Sequence, residues 1–178
     1  MASRSSRHDP RRPCDKVIAL AGLKRAITAA RRRGARVVFT NGVFDLLHAG
    51  HVTLLDRARR LGDLLVVGVN SDASVRRLKG KERPFVGQRE RALMLASLES
   101  VDHVVIFGAD TPLLIIRLIQ PDVLVKGGDW KNESIVGREE VQARGGRVVR
   151  IPLLTGRSTT RLAGKIRDQI AGSGPDSQ

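Results

Sequence analysis

Five short apolar runs, separated by longer stretches with helical spacing, limit what this chain can fold into. The runs lie at 36–40, 64–69, 103–107, 123–126 and 147–151. Each is rich in Val, Ile or Leu, and several are nearly continuous, as strands covered on both faces should be. Helix candidates fall at 22–33, 49–61, 73–78, 88–98, 111–120, 139–144 and 159–170. Gly34, Gly62 and Gly145-Gly146 supply stop signals, and Asp110-Thr111-Pro112 places a capping side chain before a first-turn proline. Strands alternating with helices require right-handed crossovers, and so a parallel sheet with helices on both sides.

The expected fold is α/β: a Rossmann-like, doubly wound, five-stranded parallel sheet in a single domain. A chain of 178 residues and 19.4 kDa suits that size. With four Phe, one Trp and no Tyr, its core must be aliphatic. Residues 1–13 read as a disordered basic arm, 14–170 as the folded domain and 171–178 as a flexible tail. Cys14 is alone, which excludes an intrachain disulfide and a cysteine-rich metal site. No apolar run approaches the roughly 20 residues of a membrane span. The segment 17–23 is too short for a signal peptide and ends at Lys24-Arg25. A cytoplasmic protein without a membrane partner is expected.

Charge is the feature that calls for a ligand. The formal net charge is +14, and residues 1–36 hold eleven Lys/Arg against two acids. Such an arm can hold nucleic acid or an anionic surface. It equally suits a solubilising tail and a solvated helix face, the plainer reading. The rest of the chain is basic enough for a phosphorylated substrate.

Ligands in such sheets bind beyond the carboxyl ends of the strands, where strand order reverses. The segments following the strands therefore carry the chemistry. The first runs Phe39-Thr40-Asn41-Gly42-Val43-Phe44-Asp45-Leu46-Leu47-His48-Ala49-Gly50-His51. It leaves a strand, is expected to turn at Asn41-Gly42, and enters a helix near Ala49-Gly50. A helix start exposes N–H groups that favour a phosphate, and Gly50 lets a backbone approach closely. His48 and His51, three apart, can both donate to one phosphate group. Isolated histidines are usually surface or core residues, but here two of four share one strand–turn–helix junction.

This segment resembles the His-x-Gly-His motif of the nucleotidylyltransferase superfamily. Phe-Thr-Asn-Gly, Phe-Asp-Leu-Leu-His-Ala-Gly-His, Val-Gly-Val-Asn-Ser-Asp-Ala-Ser-Val, Asp-Val-Leu-Val-Lys-Gly-Gly-Asp and Gly-Arg-Ser-Thr-Thr narrow the likeness. Together they resemble the heptose-1-phosphate adenylyltransferases, which often form the second domain of a bifunctional heptose kinase/adenylyltransferase. The resemblance runs from about residue 36 to 167.

Gly156-Arg157-Ser158-Thr159-Thr160 precedes a helical pattern, where Ser158 could be an ordinary cap. The resemblance turns Ser158 and Thr159 toward a triphosphate. Lys126-Gly127-Gly128-Asp129-Trp130 reads as a Gly-Gly turn, or as a backbone passing close to a base or sugar. The resemblance puts Gly128 and Asp129 near the nucleotide; Trp130 is assigned to packing. By composition 76–83 is a solvated charge run. The resemblance makes Lys79 a ligand of substrate phosphate and Arg91, in the next helix, a ligand of nucleotide phosphate. Phe85-Val86-Gly87 departs from the related wording beside this loop.

The implied catalytic set is His48, His51 and Lys79. The implied nucleotide-binding set is Thr40, Asn41, Gly42, Phe44, Gly50, Arg91, Gly128, Asp129, Ser158 and Thr159, with no protein-held metal. The implied reaction joins ATP and D-glycero-D-manno-heptose 1-phosphate into ADP-heptose and pyrophosphate, a step toward the lipopolysaccharide core. Mg²⁺ is expected with the ATP; Asp45 could reach it through water or serve only structure. A cytidylyltransferase acting on an alcohol phosphate such as glycerol 3-phosphate shares these motifs. A non-enzymatic nucleic-acid binder would explain the charge but not the histidine turn, and the basic stretches lack interleaved aromatics, so nucleic acid is not an expected partner. A nicotinamide oxidoreductase lacks Gly-x-Gly-x-x-Gly after the first strand. A homo-oligomer stays open.

Overall fold

The computed structural model describes residues 11–128, 135–152, 159, 162–164 and 168–169. Their elements are α1 (Pro13–Lys16), α2 (Leu20–Arg32), β1 (Val37–Gly42), α3 (Ala49–Arg59), β2 (Leu64–Asn70), α4 (Asp72–Lys79), α5 (Gln88–Ala96), β3 (His103–Phe107), α6 (Leu113–Ile119), β4 (Val123–Gly127), α7 (Arg138–Gln142) and β5 (Arg147–Ile151). All five strands are parallel, in the order β3-β2-β1-β4-β5. Order therefore reverses between β1 and β4, the crevice where a ligand is expected.

The two faces of the sheet bury separate aliphatic cores. Val38, Val67, Val104 and Val125 pack with Leu54 and Leu55 of α3 and Leu95 of α5. Phe39, Val66, Val105 and Leu124 face Leu23 and Ile27 of α2, Ile115 and Ile116 of α6 and Val141 of α7. Alternation along each strand sends successive residues to opposite cores, as buried parallel strands require.

Three aspartates set the strands in step at their amino ends. Asp63, Asp102 and Asp122 each directly precede a strand. Each accepts a neighbouring strand's N–H on Oδ2 and donates its own N–H back to the same residue. Asp122 does so with Val37 (2.7 and 2.9 Å), Asp102 with Leu65 (2.7 and 3.1 Å), and Asp63 with Arg36 (2.9 Å in both directions). Gly62 completes the last clamp: a Cβ there would sit 2.6 Å from Val38 Cγ2 and 2.7 Å from the Arg36 carbonyl.

Several sequence expectations shift. β1 runs straight through Asn41-Gly42, where a turn was expected, because both residues pair with β2. The sixth helix starts at Leu113, two residues later than expected, with no side-chain cap; Asp110 is instead drawn to Arg77 at 2.6 Å. The short α1 falls at the end of the expected arm, with Arg12 paired to Asp15. Next to it, Ile18 donates to the Val104 carbonyl at the β3 edge. Residues 1–10 of the arm and the tail 171–178 lie outside the described residues, as does most of the last helix. No helix among the described residues is long and apolar enough to cross a membrane.

Candidate active site

Between Gly42 and Ala49 the chain turns from β1 into α3, and this turn is anchored from below. Asp45 is 2% exposed. Its Oδ1 accepts the N–H groups of Phe85 (2.8 Å) and Val86 (3.1 Å), and its Oδ2 lies 3.1 Å from Arg83 Nε. The carboxylate thus fastens the 83–86 loop to the turn, which supports the structural of the two roles the sequence left open. Phe85 is half exposed, with the Arg83 guanidinium over its ring at 4.3 Å.

Arg91 is the second anchor. Its side chain is 0% exposed. Nε donates to the Val86 carbonyl (2.9 Å), Nη1 to the Val43 carbonyl (2.5 Å), and Nη2 to the Asn70 carbonyl and Asp72 Oδ1 (both 2.8 Å). One guanidinium joins the turn after β1, the end of β2, the start of α4 and the approach to α5. The expectation that Arg91 contacts a phosphate is corrected: four of its five N–H groups are engaged by the protein, and no face is open.

Phe44 sits in the left-handed region at φ 48°, rare for a side chain of this size. Its buried ring meets His51 edge-on at 5.2 Å. A Cβ on Gly42 would stand 3.1 Å from that ring. Gly42 and Phe44 therefore act as a pair, one leaving the space that the other fills beneath the histidines.

His48 caps α3. Its Nδ1 accepts the Gly50 N–H at 3.1 Å, and its carbonyl accepts from His51 (2.9 Å) and Val52 (3.3 Å). This alters the expected phosphate cradle. The first-turn donors of Gly50, His51 and Val52 are satisfied by His48 itself, so the imidazoles become the groups that can donate. Because Nδ1 accepts, the proton of neutral His48 is assigned to Nε2. The two rings are stacked, centroids 3.8 Å apart and 19° from parallel. Burial, and secondarily the facing His48, push His51 down to about 4. His51 is therefore neutral near pH 7. Its Nδ1 is buried with no hydrogen-bond partner among the described residues, and so is the Thr40 hydroxyl at the end of β1.

The remaining expected residues fall at the same end of the sheet or outside the described residues. Asn41, on β1, accepts from the Lys126 ammonium of β4 through Oδ1. Gly128 follows β4 at φ 102° and donates to the Ile151 carbonyl at 3.0 Å. Lys79 ends α4, exposed and with no ion pair among the described residues. Thr159 is helical and half-exposed; Asp129 and Ser158 lie outside the described residues. Sequence reasoning passed over Lys126 as a site residue. Its only signal was a lysine closing an otherwise apolar strand, directly before Gly127-Gly128.

The family model described as cytidylyltransferase-like matches residues 39–155, from the middle of β1 to beyond β5. The chain belongs to the cytidylyltransferase-like family. Among curated relatives, it is 57% identical over 152 residues to the bifunctional protein HldE of Geotalea uraniireducens, covering 85% of this chain and 31% of that one. Against the bifunctional protein HldE of Cronobacter sakazakii it is 56% identical over 151 residues, covering 85% and 32%. The chain thus spans about a third of the length of these relatives. A solved lipopolysaccharide core biosynthesis protein from Thermoplasma volcanium is 29% identical, with a TM-score of 0.56, covering 68% of this chain and 98% of that one.

The histidine turn lies beside the β1/β4 reversal, where parallel sheets of this kind bind ligands. A cavity of about 590 Å³ opens at the opposite end of the strands among Arg31, Arg36, Arg144 and Arg147. It lies at the amino ends of the strands, the far pole from the histidine turn. Among the described residues, no cluster of three His, Cys, Asp or Glu side chains could hold a metal ion. Asp45 Oδ1 is taken by two backbone N–H groups, while the buried Oδ2 faces Arg83 at 3.1 Å with no hydrogen bond among the described residues.

Proposed function

We propose that this chain transfers the AMP moiety of ATP to D-glycero-D-manno-heptose 1-phosphate, releasing pyrophosphate and forming ADP-heptose. The observation that carries nucleotidyl transfer is the stacked His48–His51 pair at the carboxyl end of β1, beside the reversal in strand order. The choice of sugar and adenine is supported by likeness to proteins named HldE and to one named for lipopolysaccharide core biosynthesis.

The sugar phosphate oxygen attacks the ATP α-phosphorus in line, and pyrophosphate leaves from the opposite side. No protein nucleophile is required, so catalysis is positioning and charge stabilisation. His48 donates from Nε2–H to the phosphates as charge builds on the bridging oxygen, and stacked His51 donates beside it. Two imidazoliums at 3.8 Å would repel, so a bound polyphosphate is what makes protonation of the pair favourable. Lys79 neutralises the incoming sugar phosphate. Ser158 and Thr159 receive the departing pyrophosphate, while Gly128 and Asp129 border the ribose. A divalent ion enters with the triphosphate as part of the substrate. An activity that consumes ATP suits the cytoplasm.

The test is a panel of nucleoside triphosphates against sugar and alcohol phosphates, with pyrophosphate as the readout. ATP with the heptose 1-phosphate should exceed CTP by at least about tenfold in kcat/KM, about 1.4 kcal/mol of discrimination. Preference for CTP with glycerol 3-phosphate would replace the heptose reading with an alcohol-phosphate cytidylyltransferase.

A further inference from the structure

Lys126 stands where β4 ends, in the crevice where strand order reverses. β1 feeds α3, which packs on the Val38–Val125 face of the sheet, whereas β4 leads on to α7 on the Phe39–Leu124 face. A ligand in this crevice is therefore flanked by groups arriving from both faces. His48 and His51 arrive with α3. Asn41 lies two residues beyond Phe39, and Lys126 two beyond Leu124, so both belong to the α7 face. They continue the pairing Phe39↔Leu124 and Thr40↔Val125 by one more step.

The electrostatics of Lys126 are incomplete. Lys126 is half-buried, and its ammonium donates to a neutral amide oxygen, Asn41 Oδ1. No carboxylate among the described residues pairs with it. On β5 its register partner is another cation, Arg150. The charged groups of α7 are Arg138, Glu139 and Glu140; Glu140 is held by Arg117 at 2.9 Å, and Arg138 donates to Gln142. Burial accordingly pulls Lys126 down to about 8, with no opposing charge contributing. A cation withdrawn from water without a counter-ion is costly, and an arriving anion removes that cost.

We propose that Lys126 is a direct ligand of a substrate phosphate, entering the β1/β4 crevice from the side opposite the histidines, with Asn41 holding its ammonium in place between turnovers. This rests on the nucleotidyl-transfer reading above. The histidines and Lys126 then grip the reacting phosphates from two sides of the sheet. A strut whose only task is to join β4 to β1 would make a different prediction, because it would matter to stability.

The experiment compares the full chain with Lys126→Met and Lys126→Arg, using ATP and the heptose 1-phosphate, thermal melting, and calorimetric titration of inorganic pyrophosphate. Lys126→Met should lower kcat/KM roughly 30-fold or more and weaken pyrophosphate binding roughly tenfold. Its melting temperature should hold or rise, since an apolar side chain replaces an uncompensated charge. Lys126→Arg should restore most of the rate. Activity of Lys126→Met within about threefold of the parent would overturn the proposal. So would a melt lowered by several degrees together with no rescue by arginine, which is the behaviour of a strut. Wild-type turnover decides the adenylyltransferase reading separately. Should the parent release no pyrophosphate with these substrates, the titration still decides Lys126: equal binding by parent and Lys126→Met rejects it, and weakened binding upholds it.

Discussion

The Nδ1 atom of His48 accepts the backbone N–H of Gly50, two residues ahead of it in the helix that it caps. One imidazole therefore has two duties on its two nitrogens, and a substitution can separate them. Asn is among the preferred capping residues but has no group where Nε2–H projects. His48→Asn should melt within a few degrees of the parent and lose roughly 10² to 10³ in turnover. His48→Ala should lose both, with about 1 kcal/mol of stability gone. Equal turnover by His48→Asn and the parent would reduce this histidine to a cap.

His51 makes acid stability measurable at a single site. It binds its proton at about 4 when folded, against a value near 6.5 for an ordinary histidine. Between these values the unfolded chain carries more protons than the folded one, so stability falls as pH drops through that window. Melting temperatures of the parent and of His51→Gln, taken between about pH 4.5 and 6.5, should show a shallower slope for the variant. Identical slopes would mean that His51 titrates normally.

Arg91 should behave as a structural cation. Its loss leaves the Asp72 carboxylate and three carbonyls without their donor at the base of the histidine turn. Arg91→Met should cost about 3 kcal/mol or more, read from the urea midpoint. A variant of unchanged stability with only a raised KM for ATP would restore the reading in which Arg91 meets the nucleotide.

Asp45→Ala should loosen the loop that it holds. Removing the carboxylate strands the N–H groups of Phe85 and Val86 and frees Arg83. Each stranded donor costs about 1–3 kcal/mol where it stays buried. The loop is close to the surface, so it should open instead. Limited trypsin digestion should cut the variant after Lys79 or Lys81 well before the parent; unchanged digestion would show that the loop is held by other means.

The architecture was legible because each strand is a run of Val, Ile or Leu and each crossover carries helical spacing. β3 and β5 begin and end where the apolar runs do. The histidine turn was legible because residue type, spacing and the strand before it agree. What escaped notice depends on partners distant in the chain. The burial of Arg91 is set by carbonyls at 43, 70 and 86, and the use of Asp45 by amides forty residues away. The cap of α6 misled because Asp110 had a better partner in Arg77 than in its own helix. Lys126 carries a residue name that usually marks a surface, and only the fold reveals that it is withdrawn from water.

The aspartate clamps at 63, 102 and 122 join Arg36, Leu65 and Val37 at the amino ends of the strands, a strand length from the histidines. Strand position is inherited along the whole ladder, since slipping one residue turns every side chain to the other face. The aim of His48 and Lys126 is therefore decided at the far pole, as the pitch of a roof is decided at its footings. Random mutagenesis scored only for turnover should thus yield two groups of damaging positions, one around the phosphates and one at these three carboxylates. Transplanting the histidine turn alone onto another sheet would carry over the first group and leave behind the alignment that gives it meaning.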